Sequence, residues 1–288
     1  GTFTNARKFN MLFKTTIGKT EEDRSAVYLR GEIAQAMFVN FKHVLDTMRK
    51  RLPFGIASIG KVFRNEGMST QHLQEFTMLE FYWAYANWED MMAMIEQLTS
   101  TVVEKTFGTL QIPFGNTVLD FTPPFPRVNY VEIVKEKTGI DIETHTDAES
   151  LRKAILQQHI ELEQFNVGRG RLIDQLYKKR VRPELVRPQF LINHPVDVSP
   201  LSKRDPKNPQ RTERFQLLVN TAEVVNGFSE LNDPIDQRER FETQAGLREH
   251  GDSEAYMFDE DFVQAIEHGL PPTAGVGIGI DRLFMILA

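Results

Sequence analysis

The sequence predicts an α+β protein, on three observations. Residues 63–85 read as strand, loop, strand, with period-two alternation in the return strand. Residues 32–48 place Ile33, Met37, Phe38, Phe41, Val44, Leu45 and Met48 at helical spacing. The closing stretch, TAGVGIGIDRLFMILA, reads as a glycine-rich strand running into an apolar helix.

The remaining elements follow in order. Residues 9–15 read as a short strand, 18–25 as a polar turn and 28–30 as a strand end. In the helix that comes next, Glu32 falls in the first turn, where the helix dipole favours a carboxylate. A strand over 54–63 feeds the hairpin. Asn87-Trp88-Glu89-Asp90 starts a helix whose stripe, Met91, Met94, Ile95, Leu98, Val102 and Val103, belongs to a core more readily than to a ligand site. Residues 107–121 give strand, turn, strand around Gly108 and Gly115. Residues 131–138 give a short helix ending at Gly139. A helix over 144–163 takes Thr146 or Asp147 as its N-cap. Gly168 to Arg171 interrupt, and a second helix covers 172–179. Strands are expected over 190–198, 215–219 and within 222–234, and helices over 233–250 and from Asp259 to Gly269.

Composition narrows the function. The 288 residues are 41% hydrophobic and 26% charged, enough for a large core in one big domain or two small ones. The absence of cysteine excludes disulfides and thiolate metal sites. No run approaches the roughly 20 apolar residues that span a bilayer, and no signal peptide is visible, so a soluble cytoplasmic protein with no membrane partner is the default. The net charge of -6 does not advertise nucleic-acid binding, although a local basic face is enough for it. Residues 169–187, with Arg171, Lys178, Lys179, Arg180 and Arg182, and residues 203–214 are basic. Each also reads as solvated surface charge.

Three stretches carry chemistry. The hairpin has Arg64 and Glu66 on one wall, Gly67, Ser69 and His72 in its loop, and Phe76, Met78, Glu80 and Tyr82 on its return. An arginine beside an aromatic face suits a nucleotide, with guanidinium on phosphate and ring on base. The same residues also suit an exposed hairpin with a salt bridge. In AEVVNGFSELNDP, Glu223, Asn226 and Glu230 stand among apolar residues with Phe228 between them. The spacing is not a strict two, but a strand kinked at Gly227 projects them to one concave face. Two carboxylates so placed bind a cation or share a proton. A solvent-facing strand would carry more Lys and Thr and no Asn-Gly. Gly275, Gly277 and Gly279 permit close backbone approach to a ligand, or plain core packing, before Arg282.

FRNEG followed by EFTMLEFY resembles motif 2 of the class II aminoacyl-tRNA synthetases, most closely the lysyl type. AEVVNGFSELNDP resembles the lysyl signature, and GIDR resembles motif 3. FNMLFKTTIG, YLRGEIAQAMFVNF and LPFGIASIGKVFRNE are similar to bacterial dimeric glycyl-tRNA synthetases, as is the extra turn ending at Pro53. The resemblance implies the class II fold, a mainly antiparallel sheet flanked by helices, in one catalytic domain over 1–288. It implies a helical insertion around 144–187, whose basic residues could face the tRNA acceptor end, and no anticodon-binding domain. Motif 1, the usual dimer element, would precede Gly1, so a homodimer is expected of the full-length protein.

The implied reaction is ATP-dependent activation of lysine and its transfer to tRNA, with Mg²⁺. Carried over residue by residue, Arg64 would hold the α-phosphate, Glu66 the adenine amino group and Phe76 the adenine ring. His72 would lie near the β- and γ-phosphates, Gly279 would line the ATP site and Arg282 would clamp the γ-phosphate. Glu32 would grip the α-amino group of the amino acid. Asn226 and Phe228 would line the cleft, and Tyr82 and Glu230 would meet the lysine ε-ammonium. Glu223 would ligate Mg²⁺. Gln216, in RFQ, stands where the family usually has a second metal-binding glutamate. An amide oxygen can ligate Mg²⁺ but brings no charge.

Three other readings stand beside this one. A glycine enzyme has no need of a distal acid such as Glu230. A lysine ligase that modifies an elongation factor resembles NGFHELTD with an alanine near motif 3, where this chain has NGFSELND and Gly277. A non-catalytic synthetase-like binding module has only Gln216 in its favour.

Overall fold

The computed structural model describes residues 12–18, 24–49, 54–65, 73–249, 252 and 255–288. Two compact units are present: residues 1–82 with 277–286 and 288, and residues 83–276 with 287.

The first unit opens on an antiparallel pair, β1 (Lys14–Ile17) and β2 (Ser25–Tyr28). Helix α1 (Ala34–Met48) follows. It starts two residues later than the apolar spacing suggests. Ile33, fully buried, occupies the N-cap, so Glu32 precedes the helix and is exposed rather than sitting in the first turn. β3 (Ile56–Phe63) and β4 (Glu75–Ala84) form the antiparallel arms of the hairpin, with Ile56 opposite Tyr82 and Phe63 opposite Glu75. Glu66 and His72 lie outside the described residues.

In the second unit, α2 (Trp88–Phe107) begins at Asn87. The Asn87 side chain accepts from the N–H groups of Glu89 and Asp90, and the Asp90 side chain returns to the Asn87 N–H, a reciprocal cap. The β5 (Gln111–Phe114) and β6 (Thr117–Asp120) hairpin turns at Gly115, whose φ of +54° favours glycine. β7 (Arg127–Asn129) leads into α3 (Tyr130–Thr138), which stops at Gly139. α4 (Ala148–Gln157) is capped by Asp147 and ends before His159, which takes a φ of +53°. α5 (Arg169–Arg180) begins at the glycines that read as an interruption. Gly170 is required there, because a Cβ would come within 2.6 Å of the Asp197 carbonyl oxygen.

β8 (Gln189–Ile192) is much shorter than the expected strand, because Asn193 turns with φ +58° and Pro195 has no N–H to donate. β9 (Arg204–Asp205) and β10 (Asn208–Thr212) pair with each other. β11 (Arg214–Val219) pairs antiparallel with both β8 and β12 (Ala222–Ser229), while β7 runs parallel to β8. Helices α6 (Pro234–Glu249) and α7 (Glu260–Glu267) lead to β13 (Thr273–Gly279), which joins the edge of β12. The last residues of β13 and most of α8 (Ile280–Leu287) belong to the first unit. The architecture is α+β with a mainly antiparallel sheet. α3, α4 and α5 close a core of Val134, Ile142, Leu151, Ile155, Leu172 and Leu176 against Leu191 and Leu218 of the sheet.

Candidate active site

In the first unit the site is built on one face of β4. Register pairs Phe76 with Val62, Met78 with Gly60, Glu80 with Ser58 and Tyr82 with Ile56, so all eight share that face. Glu80 is 5% exposed. Its Oε1 accepts from the Ile33 N–H at 3.5 Å, while its buried Oε2 has no hydrogen-bond partner. Burial, and then the charge of Glu32, push its pKa up to about 7, against an opposing pull from Arg64. Close approach is maintained at Gly277, where a Cβ would stand 3.0 Å from Met78 Cε and 3.9 Å from Glu80 Cγ. The sequence reading named Glu80 only as a member of the alternating run. The available signal was its parity: an acid on the same face as Phe76, Met78 and Tyr82.

Arg64 closes the same strand pair. Its backbone N–H donates to Gln74 O at 2.9 Å and its Nε to Gly31 O at 3.1 Å. Its guanidinium lies 5.4 Å from the centroid of the Phe76 ring, a cation–π contact. Tyr82 rests on Phe38, with ring centroids 4.9 Å apart. Glu32 accepts from the Gln35 side chain. Gly279 is the residue on which α8 begins. Asp281, in the first turn, accepts from the Thr77 N–H and so ties the helix start to β4. Arg282 follows, half-buried.

In the second unit the site lies on β12. Leu217 faces Val225 while Leu218 faces Glu223, so Val224 is an extra residue, a β-bulge. The bulge resets the alternation. Glu223, Asn226 and Phe228 then share one half-buried face, together with Arg214, Gln216 and Leu218 of β11. The irregularity therefore falls at Val224 and not at Gly227. Gly227 serves packing on the opposite face: a Cβ there would meet Phe215 Cζ at 2.6 Å and Gly275 O at 3.1 Å. Glu230 continues the half-buried series. Its N–H donates to Thr273 O at 2.8 Å, and it bridges to Ser202.

Polar partners fix that face. Arg214 Nε donates to Asn226 Oδ1 at 2.9 Å, and its Nη1 donates to Val198 O and Ser199 Oγ. Gln216, 7% exposed, donates from Nε2 to Glu223 Oε2, and its Oε1 stands 3.1 Å from His194 Nε2. His194 is 2% exposed, and burial, then the Arg214 charge, hold its pKa well below the usual range. Its Nδ1 is buried without a partner, as is the Tyr177 hydroxyl, and both side chains pack on the Tyr130 ring. The arrangement does not suit a metal held between Glu223 and Gln216. The amide turns a donor to the carboxylate and its oxygen to the histidine. Among the described residues no group of three or more His, Asp or Glu stands together as a metal site.

Much of the basic character is spent internally. Arg169 donates to His145 O, Ile142 O and Asp197, Arg204 pairs with Asp236, and Arg211 with Glu143. Arg240 donates to Ser199 O, Ser202 O and Asp236. At the end of α5, Lys178 pairs with Asp174, while Lys179 and Arg180 are exposed. Among the described residues no helix is long and apolar enough to cross a membrane.

The family described as tRNA synthetases class II (D, K and N) matches residues 55–288. The chain is similar to a protein named lysine–tRNA ligase from Thermotoga maritima, 51% identical over 243 residues, or 83% of this chain and 47% of that protein. It is also similar to proteins of the same name from Moorella thermoacetica, 44% identical over 84% of this chain and 50% of the relative, and from Bacillus subtilis, 44% identical over 83% and 48%. The chain thus spans about half the length of the curated relatives it matches.

Proposed function

Because the chain belongs to the class II tRNA synthetases of the D, K and N group, we propose that it activates lysine with ATP and passes the lysyl group to tRNA. The observation that carries the reading is Glu80, a buried carboxylate with one oxygen unpartnered and a pKa pushed up to about 7. A charge in that state is costly unless a cation with N–H donors meets it. An ammonium group of the amino acid supplies both the charge and the donors.

In the proposed reaction a lysine carboxylate oxygen attacks the α-phosphorus and the bond to pyrophosphate breaks. The terminal ribose hydroxyl of tRNA then attacks the adenylate carbonyl, and AMP leaves. No side chain acts as nucleophile. Arg64 and Arg282 neutralise phosphate charge, and the Phe76 ring, held in place beside the Arg64 guanidinium, stacks on adenine. Glu66, His72, Gly279, Glu32 and Tyr82 keep the roles implied by the resemblance, as do Asn226, Phe228 and Glu230. Mg²⁺ is the proposed counter-ion of the nucleotide phosphates; Glu223 is the carboxylate assigned to it, and no step is assigned to the Gln216 oxygen. A homodimer and a cytoplasmic location are proposed for the full-length protein.

ATP–pyrophosphate exchange with lysine, β-lysine and glycine in turn tests the amino acid, and charging of tRNA against protein acceptors tests the second step. Exchange driven by lysine, with tRNA labelled, is expected. Exchange driven by glycine, or label on a protein, would replace this reading with one of its competitors.

A further inference from the structure

We infer that His194 is a positioning residue that locks the Gln216 amide so that its N–H₂ group, rather than a divalent cation, faces Glu223 in the nucleotide-free protein. One hydrogen placement satisfies the contacts as they stand. A carboxylate oxygen has no hydrogen to give, so the atom of Gln216 that faces Glu223 must be the nitrogen. The amide oxygen then faces His194 Nε2 at 3.1 Å, and that nitrogen must carry a hydrogen. His194 Nδ1 is buried without a partner, which costs less for a lone pair than for an orphaned N–H. One sequence of donations results: imidazole Nε2–H to amide oxygen, and amide N–H to carboxylate.

A metal shared by Gln216 and Glu223 would need the amide reversed. Reversal breaks the bond to Glu223 and sets an N–H₂ group against the Nε2–H of His194. Relief would require the imidazole hydrogen to move to Nδ1 at the same time as the amide turns. His194, Gln216 and Glu223 all lie within one compact unit, and the three-residue relay holds whichever amino acid the protein activates. Its consequence is a pair with one negative charge and an occupied donor, in place of a two-carboxylate metal clamp.

The test is Mn²⁺ titration of the nucleotide-free 288-residue chain, followed by electron paramagnetic resonance, alongside the side-chain amide resonances of Gln216. The wild type should show no saturable Mn²⁺ site at concentrations that saturate Gln216→Glu, and its Gln216 amide protons should be protected from exchange. His194→Ala should lose that protection at least tenfold, and His194→Gln, which restores an N–H near the Nε2 position, should recover it. Should His194→Ala not fold, the comparison of wild type, Gln216→Glu and His194→Gln decides alone. Equal Mn²⁺ binding by wild type and Gln216→Glu, no binding by either, or amide protection indifferent to residue 194 would each overturn the inference.

Discussion

The Ile33 N–H reaches Glu80 Oε1 at 3.5 Å, so the residue that opens α1 holds the one fully inward-facing acid of β4. This is a long bond to a group that, ionised, needs several. Glu80 is therefore poised to respond to pH and to a cationic ligand.

The pH response has a definite sign. Glu80 has a folded pKa of about 7, above its ordinary 4.5. The native state thus holds a proton that the unfolded chain has lost across that window. As pH rises from 4.5 to 7 the contribution of this residue to stability falls, and it stays low above 7. Glu80→Gln should melt at a higher temperature than wild type at pH 8. The difference should shrink as pH is lowered through that window, and saturating lysine should stabilise wild type but not the variant. A melting-temperature gap that is constant with pH would contradict this account of Glu80.

Arg64→Ala removes a guanidinium held by Gly31 O and set against Phe76. Charged hydrogen-bond deletions of this kind cost about 2–5 kcal/mol, so lysine-dependent pyrophosphate exchange should fall by at least tenfold. Arg64→Lys should recover little, since an ammonium lacks the planar fork. Exchange that survives Arg64→Ala would remove Arg64 from the phosphate site.

Gly227→Ala drives a methyl group into Phe215 Cζ at 2.6 Å and toward Gly275 O. Overpacking of this kind costs about 1–3 kcal/mol. Urea denaturation should show the loss, and adding Phe215→Leu should return part of it. The carbonyl contact cannot be relieved by a side chain, so recovery should be incomplete.

Reversing charge at Lys178, Lys179 and Arg180 should raise the KM for tRNA and leave adenylate formation unchanged. Lys178 already pairs with Asp174, so Lys179 and Arg180 should carry most of the effect. An unchanged KM would assign the end of α5 to solvent.

How far the fold was legible depended on whether the deciding force was local. The Asn87 cap, the Asp147 cap that was one of two residues offered, and the stop at Gly139 are set by residues within a few positions, and each falls where the sequence places it, whereas Gly108, expected within a strand-turn-strand run, ends α2. The helix starts at Ala34 and Arg169 were shifted by tertiary contacts: Ile33 is drawn into the core, and Gly170 is pressed against Asp197. The candidate site divides in the same way. Alternation showed which residues of β4 share a face. It could not show that Glu80 is buried with an oxygen unpartnered, since that depends on a residue 47 positions away. Gln216 stood out by its neutrality, but its orientation is set by His194, 22 residues distant.

The supernumerary valine in β12 also makes the strand sensitive to how it pairs with β11. Glu223 and Asn226 stand at an odd spacing, and the bulge at Val224 is what keeps Glu223 in phase with Asn226 and Phe228. Pairing of the same residues without that irregularity would leave every side chain in the sequence and turn the acid toward the opposite side of the sheet, a silent frame slip that no survey of site residues would notice.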